Sequence, residues 1–184
     1  FLKQILELRD RLGECGPEAA PVIKARFESE PDARTREMFL HALGKIPGEE
    51  ADRFLLRLYC FDETAGEVAR SWLVWRTARF GPFTFQVPEE QVEAMLAMVR
   101  DLPVMSAGDT VGILARCHKN ALEPIFSVVL ARFVREVKTP GNPSFSGSYL
   151  SPHTYVMNWL LRVIKHMPEG VVPPNKKKGQ ISAF

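Results

Sequence analysis

The stretch PDARTREMFLHALGKI, residues 31–46, decides the fold class of this chain. Its apolar residues recur at the i, i+3, i+4, i+7 spacing that places side chains on one face of an α-helix. They are Met38, Phe39, Ala42, Leu43 and Ile46. An acidic turn, Pro31-Asp32, precedes this pattern, and Pro47-Gly48 ends it. The stretch therefore predicts one amphipathic helix whose apolar side must pack against a neighbour.

The same helical spacing continues on both sides of this stretch. Further apolar stripes contain Leu2, Ile5, Leu6 and Leu12; Ala19, Val22, Ile23 and Phe27; Ala51, Phe54, Leu55 and Leu58; Val68, Trp72 and Trp75; Val92, Met95, Leu96 and Val99; Val111, Leu114 and Ala115; and Tyr155, Val156, Trp159, Leu160, Val163, Ile164 and Met167. Residues 125–137 are apolar on more than one side, which predicts a central helix with neighbours on both flanks. Residues 84–87 are the one candidate strand and are too few to form a sheet. The sequence therefore predicts an all-α fold.

Helix start signals lie near the beginnings of several stripes. Thr64-x-x-Glu67 and Ser106-x-x-Asp109 match the capping-box pattern, in which a side-chain oxygen accepts from an amide of the first turn. Ser151-Pro152 matches a cap followed by proline at the first helical position. We therefore expect helices to begin at these three places.

The helix near Pro31 and the helix near Thr64 look like copies of one unit. An offset of 34 residues matches Arg36 with Arg70, Phe39 with Leu73, Leu40 with Val74, Gly44 with Ala78 and Ile46 with Phe80. Self-similarity at a period of one helix pair is typical of helical-repeat proteins.

The acidic turn, Arg36 and the Ala42-Leu43-Gly44 ending of this stretch carry a family resemblance. Together they resemble the first helix of a HEAT repeat, an armadillo-type α-helical repeat, and the match is best over residues 31–81. A tetratricopeptide repeat also fits the offset, but its Trp-Leu-Gly-Tyr pattern is absent. The resemblance implies a short right-handed α-solenoid of about four stacked antiparallel helix pairs over residues 1–167. Residues 168–184 are expected to form an extended tail rich in Pro and Lys.

Composition limits the classes of partner. The chain has 184 residues and a formal net charge of +2, which suits one domain with a core and gives little support to a nucleic-acid partner. No apolar run reaches the ~18 residues of a membrane helix, so we expect no membrane partner. The cysteines Cys15, Cys60 and Cys117 are odd in number and far apart, which predicts buried thiols in a reducing, cytoplasmic compartment. Because the chain opens at Phe1, we expect it to begin inside a longer gene product or after a removed start.

No pattern in the sequence predicts catalysis, a metal or a cofactor. The histidines are dispersed, and they are His41, His118, His153 and His166. A tetrahedral metal site would need three or four convergent ligands. The segment SFSGS at residues 144–148 is not a G-x-S-x-G nucleophile elbow, and no glycine-rich phosphate-binding motif occurs. The acids Glu89, Glu90 and Glu93 are expected to favour the positive end of a helix rather than to form an acid–base pair.

A possible binding surface centres on two tryptophans. Trp72 and Trp75 share one face of the predicted helix, and Arg76 and Arg79 follow them. An exposed patch of aromatic residues and arginine is typical of interface hot spots and of base-stacking platforms. The alternative interpretation is that both tryptophans belong to the core of a helix pair.

Basic residues accumulate in the C-terminal half, and Arg116 and Lys119 are candidates for the same binding surface. The others are Arg132, Arg135, Lys138, Arg162, Lys165 and Lys176 to Lys178. If they share a face, they would attract an acidic partner. The alternative is a solvated surface followed by a basic tail.

The resemblance to HEAT repeats implies that this chain works by binding. Because HEAT-like proteins are typically adaptors, scaffolds or inhibitors, we expect a non-catalytic scaffold that binds a protein partner through one face of the stack. An alternative within the same family is a nucleic-acid-binding protein such as a DNA glycosylase, which would need Trp72, Trp75 or Arg76 in a basic groove. A third possibility is that the chain is a helical fragment of a larger protein whose function lies elsewhere.

Overall fold

The computed structural model describes residues 7, 10–117, 122–138 and 152–166. These ranges contain α-helices and no β-strand, which confirms the predicted all-α class. Residues 10–13 are helical, and a short 3-10 helix spans Pro17–Ala19. The longer helices are α1 (Ala20–Ser29), α2 (Ala33–Lys45), α3 (Glu49–Phe61), α4 (Gly66–Phe80), α5 (Glu89–Asp101), α6 (Val104–Leu114), α7 (Leu122–Lys138) and α8 (Pro152–His166). Leu2, Ile5 and Leu6, the connection at 139–151 and the predicted tail at 168–184 lie outside the described residues.

The helices contact one another in a regular order. Helices consecutive in sequence pack together as α1 with α2, α3 with α4, α5 with α6, and α7 with α8. The odd-numbered helices also contact one another in series, from α1 through α3 and α5 to α7. The even-numbered helices form a second series, from α2 through α4 and α6 to α8. A helix in the middle of the chain therefore packs against its partner and against both the preceding and the following pair.

Most residues of the predicted apolar stripes lie in the core, but Val22 is 63% exposed. On α4 the buried apolar residues are Ala69 and Leu73, whereas the predicted Trp75 is 41% exposed. Leu40, Leu43 and Ile46 of the opening stretch are at most 2% exposed, and Leu55 on α3 is fully buried. Each fully buried side chain of this size contributes roughly 1.5–3 kcal/mol relative to exposure. Most of the fold's stability therefore comes from helix faces that the spacing of apolar residues already identified.

Gly44 allows the close approach of α2 and α4. The indole ring of Trp72 packs directly against the Gly44 backbone, and a Cβ atom at residue 44 would overlap that ring. The glycine of the Ala42-Leu43-Gly44 ending is therefore explained by a contact between helices.

The helix start signals are partly corrected. At α4 the capping group is Asp62, whose carboxylate oxygen Oδ1 accepts from the backbone N–H groups of Thr64 and Ala65 at 2.9 and 2.8 Å. Thr64 lies in the turn before the helix, which begins at Gly66, so its predicted capping box is wrong. Ser106 lies inside α6, which begins directly after Pro103, so the second predicted capping box is also wrong. Both patterns failed because another residue had already started the helix.

Helix α7 is not central in the described part of the chain. It contacts α5, α6 and α8, but Leu130 is 42% exposed and Val134 is 41% exposed. The prediction that residues 125–137 form a central helix is therefore wrong, although three helices contact it. Both residues belong to the last helix pair, α7 and α8, and no described helix follows α8 to cover them.

Candidate functional site

The residues predicted to line a binding surface divide into a buried group and an exposed group. Arg76 is fully buried and Arg116 is 3% exposed, so the prediction that these two line a surface is wrong. Trp75 is 41% exposed, and Arg79, the next-to-last residue of α4, is exposed as well. Lys119 lies outside the described residues.

The buried arginines converge on one carboxylate, that of Asp52 on α3. The Nε atom of Arg76 donates to Asp52 Oδ1 at 2.8 Å. The Nη1 and Nη2 atoms of Arg116 donate to Asp52 Oδ1 and Oδ2 at 3.2 and 3.1 Å. Burial lowers the pKa of Arg116 despite the opposing effect of the Asp52 charge. Desolvation thus outweighs the attraction between the two charges at Arg116.

Arg76 also satisfies the carbonyl end of α2. Its Nη1 atom donates to the carbonyl oxygens of Gly44 and Ile46 at 3.0 and 2.6 Å. These carbonyls have no partner within their own helix. Arg76 can be buried because Asp52 supplies a countercharge and the end of α2 supplies hydrogen-bond acceptors.

Arg132 on α7 repeats this arrangement with α5. Its Nη1 atom donates to the carbonyl oxygens of Val99, Arg100 and Leu102, each at 2.9 Å, and the residue is 6% exposed. Arg132 therefore does not contribute to an exposed basic face. The expectation of a basic surface in the C-terminal half loses both Arg116 and Arg132.

The exposed group forms an aromatic surface, defined here as His41, Trp72, Trp75, Arg79 and Phe80. Neighbouring rings meet edge to face, with centroids 5.6 Å apart for His41–Trp72, 5.6 Å for Trp72–Trp75 and 5.8 Å for Trp75–Phe80. Edge-to-face contacts of this kind stabilise by ~0.5–1.5 kcal/mol beyond the area that they bury. The surface runs from α2 across the last turns of α4.

Hydrogen bonding and packing fix the inner part of the aromatic surface. The indole Nε1 of Trp72 donates to Nδ1 of His41 at 3.0 Å, and the same indole packs on Gly44. Glu37 Oε1 lies 3.4 Å from His41 Nε2 on the other side of the imidazole. Trp72 is half-buried, so it combines the two interpretations left open by the sequence: it packs in a helix contact and supports an exposed ring.

The outer part of the aromatic surface remains exposed. Phe80 is 36% exposed, and the guanidinium carbon of Arg79 lies 5.1 Å from the ring centroid of Trp75 and 5.8 Å from that of Phe80. An arginine held against two rings loses less side-chain freedom when it meets a partner. This part of the surface is therefore ordered before any partner arrives.

The described ranges hold no cluster of three or more His, Cys, Asp or Glu side chains that could bind a metal ion. Burial raises the pKa of Cys60 and of Cys117 to about 12, so both thiols stay protonated at neutral pH. Among the described helices, none is long and apolar enough to cross a membrane.

Sequence reasoning missed three members of these sites. Asp52 carried a signal, because it shares the helical stripe of Leu55, Leu56 and Tyr59 and is a lone acid on an apolar face. Phe80 carried a weaker one, as the position matched with Ile46 in the internal repeat. His41 carried none, since its contact with Trp72 joins two helices.

No protein-family model matches the chain, and neither the curated proteins nor the solved structures gave a match. The likeness to HEAT repeats thus rests on the residues quoted above.

Proposed function

We propose that this chain is a non-catalytic, HEAT-like α-solenoid that holds a protein partner against its aromatic surface. Three features support the solenoid arrangement: pairing of helices consecutive in sequence, the two series of contacts, and the internal repeat at Arg36 and Arg70. A single helix pair cannot bury its apolar face alone, whereas successive pairs stacked in sequence order can. The stack then leaves one series of helices on each of its two broad faces.

The exposed, ordered aromatic surface is the observation that carries the binding proposal. Trp75, Phe80 and Arg79 combine exposure with contacts that hold each side chain in place. Trp, Tyr and Arg are the residues most enriched among interface hot spots, where truncation costs at least ~2 kcal/mol. A rigid aromatic pair beside a guanidinium group suits recognition of a protein surface.

A nucleic-acid partner receives less support than a protein partner. Nucleic-acid binding draws on several cations that contact phosphates. In the described part of the chain, Arg76, Arg116 and Arg132 are buried and donate to protein acceptors. Lys45 lies 2.7 Å from Asp10, and Arg70 is hydrogen-bonded to both Glu67 and Asp109. Each of these five cations already has an acceptor within the described part of the chain.

Site-specific photocrosslinking tests the proposal. A photoreactive residue is placed at Ser71, an exposed position on the same stripe of α4 as Trp75, or at Ala25, an exposed position on α1. In an extract of the source cells, we expect a defined crosslinked protein from position 71 and not from the control position. Trp75→Ala should remove that product, because loss of ~2 kcal/mol weakens binding by roughly 30-fold. Equal products from both positions, insensitive to Trp75→Ala, would refute binding through this surface.

A further inference from the structure

Arg79 differs from the other arginines of α4 in its partners. Arg70 is hydrogen-bonded to the carboxylates of Glu67 and Asp109, and Arg76 to that of Asp52. Arg79 contacts two aromatic rings and has no carboxylate partner among the described residues. One of the three positive charges on this helix is thus left without a countercharge within the described part of the chain, and it is the exposed one.

The position of Arg79 favours donation outward. Its guanidinium group lies over the Trp75 ring and is exposed, and its N–H groups have no hydrogen-bond acceptor among the described residues. Those N–H groups form the planar fork that binds a carboxylate through two parallel hydrogen bonds. The rings of Trp75 and Phe80 beside it are 41% and 36% exposed, so they offer apolar contact next to the cation.

We infer that the aromatic surface recognises an acidic peptide segment, with a carboxylate on Arg79 and an adjacent aromatic or aliphatic side chain on Trp75 and Phe80. This inference rests on the proposed function, since it names the chemistry of the protein partner. Complementary charge carries it: the surface presents one cation without a countercharge beside two exposed rings. A peptide can supply both groups within neighbouring residues, which suits a cation that lies 5.1 and 5.8 Å from the centroids of the two rings.

A nucleic acid would also place an anion beside a flat ring, but it fits this surface less well. Phosphates follow one another along the strand, and binding strengthens with each cation that they meet. On α2, which contributes His41 to the surface, Lys45 lies 2.7 Å from Asp10, and a carboxylate oxygen of Glu37 lies 3.4 Å from His41 Nε2. The surface thus offers one site for an anion rather than a track.

A displayed library of random eight-residue peptides tests the inference on the full chain. We expect the unmodified chain to enrich peptides with Asp or Glu next to an aromatic or aliphatic residue. Arg79→Glu should lose these peptides or select basic ones instead. Arg26→Glu makes the same charge change at an exposed position on α1 and should select as the unmodified chain does. Arg79→Gln, which removes the charge without reversing it, should weaken the enriched peptide roughly tenfold or more.

A matched peptide supplies the second measurement. The enriched sequence is labelled with fluorescein, and its affinity by anisotropy is compared with that of a version in which Asp or Glu becomes Asn or Gln. We expect the unmodified chain to bind the neutral peptide at least about tenfold more weakly than the acidic one. The Arg79→Gln variant should bind the two peptides equally, because it lacks the cation that distinguishes them. Circular dichroism of each variant confirms that the fold is retained.

Several results would overturn the inference. The selection would do so if it enriched no peptides, if the enriched peptides had no acidic bias, or if Arg79→Glu selected the same peptides as the unmodified chain. The binding assay would do so if a sixteen-residue oligo-dT displaced the peptide and the binding of that oligonucleotide fell steeply with salt concentration. A specific crosslink from position 71 together with neutral peptide selection would leave the scaffold function standing and remove the acidic partner. Absence of both the crosslink and the enrichment would remove both proposals.

Discussion

Replacing Asp52 with asparagine should severely destabilise the fold. Asp52→Asn keeps the size of the side chain but removes the one carboxylate that faces two buried guanidinium groups, those of Arg76 and Arg116. The asparagine oxygen can replace only one acceptor. Its amide nitrogen is a donor and would face a guanidinium N–H, so at least one hydrogen bond becomes a repulsive contact.

The magnitude follows from burial. Removing one partner of a buried ion pair costs ~3–5 kcal/mol, because an uncompensated charge stays in the interior. Asp52 is 6% exposed, Arg76 is fully buried and Arg116 is 3% exposed, so solvent cannot replace the lost carboxylate. The total stability of a domain is ~5–15 kcal/mol. The substitution therefore removes between about a fifth and all of this stability.

Urea unfolding followed by circular dichroism measures this effect. With a slope of about 2 kcal/mol per molar, a loss of ~3–5 kcal/mol lowers the midpoint by roughly 1.5–2.5 M. Glu28→Gln is the matched control, since the Glu28–Arg57 pair at 2.7 Å is about half exposed on both sides. The control should change stability by at most ~1 kcal/mol. If Asp52→Asn shifted the midpoint no more than Glu28→Gln does, the argument that the buried charges depend on Asp52 would be refuted.

Three further predictions concern packing, thiol chemistry and a helix start. Gly44→Ala should destabilise the chain by ~1–3 kcal/mol in urea unfolding, because the added Cβ overlaps the indole ring of Trp72. An unchanged unfolding midpoint would contradict the contact between Gly44 and Trp72. A chromogenic disulfide reagent at pH 8 should react rapidly with Cys15, which is exposed, in the native chain. Cys60 is half-buried and Cys117 is buried, and burial raises the pKa of each thiol to about 12, so both should react rapidly only after unfolding. Rapid reaction of all three thiols in the native chain would contradict this expectation. Asp62→Ala should lower stability by ~1 kcal/mol near pH 7, as loss of a helix cap does. Burial raises the pKa of the Asp62 carboxyl, but the hydrogen bonds that it accepts outweigh burial, so its pKa in the folded chain is lower than in the unfolded chain. The stability that the cap contributes is therefore full above the unfolded pKa and is lost as the pH falls through the folded pKa. The difference in stability between the two chains should therefore be larger at pH 7 than at pH 2.5.

Part of the candidate site could be predicted from the sequence. Trp75 and Arg79 were singled out by their spacing on one helix, and the structure leaves both exposed. Arg76 was grouped with them because it is one residue from Trp75 in sequence. One residue turns a helix by about a quarter turn, which carried Arg76 to the side that faces α3. A sequence shows this rotation but not which side a neighbouring helix will cover.

The all-α class and most of the core stripes follow from the sequence alone, because helical spacing of apolar residues is a local property of the chain. The stripe on α4 is an exception, since Leu73 is buried there and the predicted Trp75 is exposed. The residues from Met38 to Ile46 pack through the same side that their spacing indicates. Only the tertiary structure decided where the polar residues go. An arginine beside an apolar stripe can extend to solvent or turn inward, and the outcome depends on whether another helix supplies acceptors. For Arg76 the acceptors came from Asp52 on α3 and from the carbonyl end of α2, whereas Arg79 met only aromatic rings within the described part of the chain and stayed at the surface.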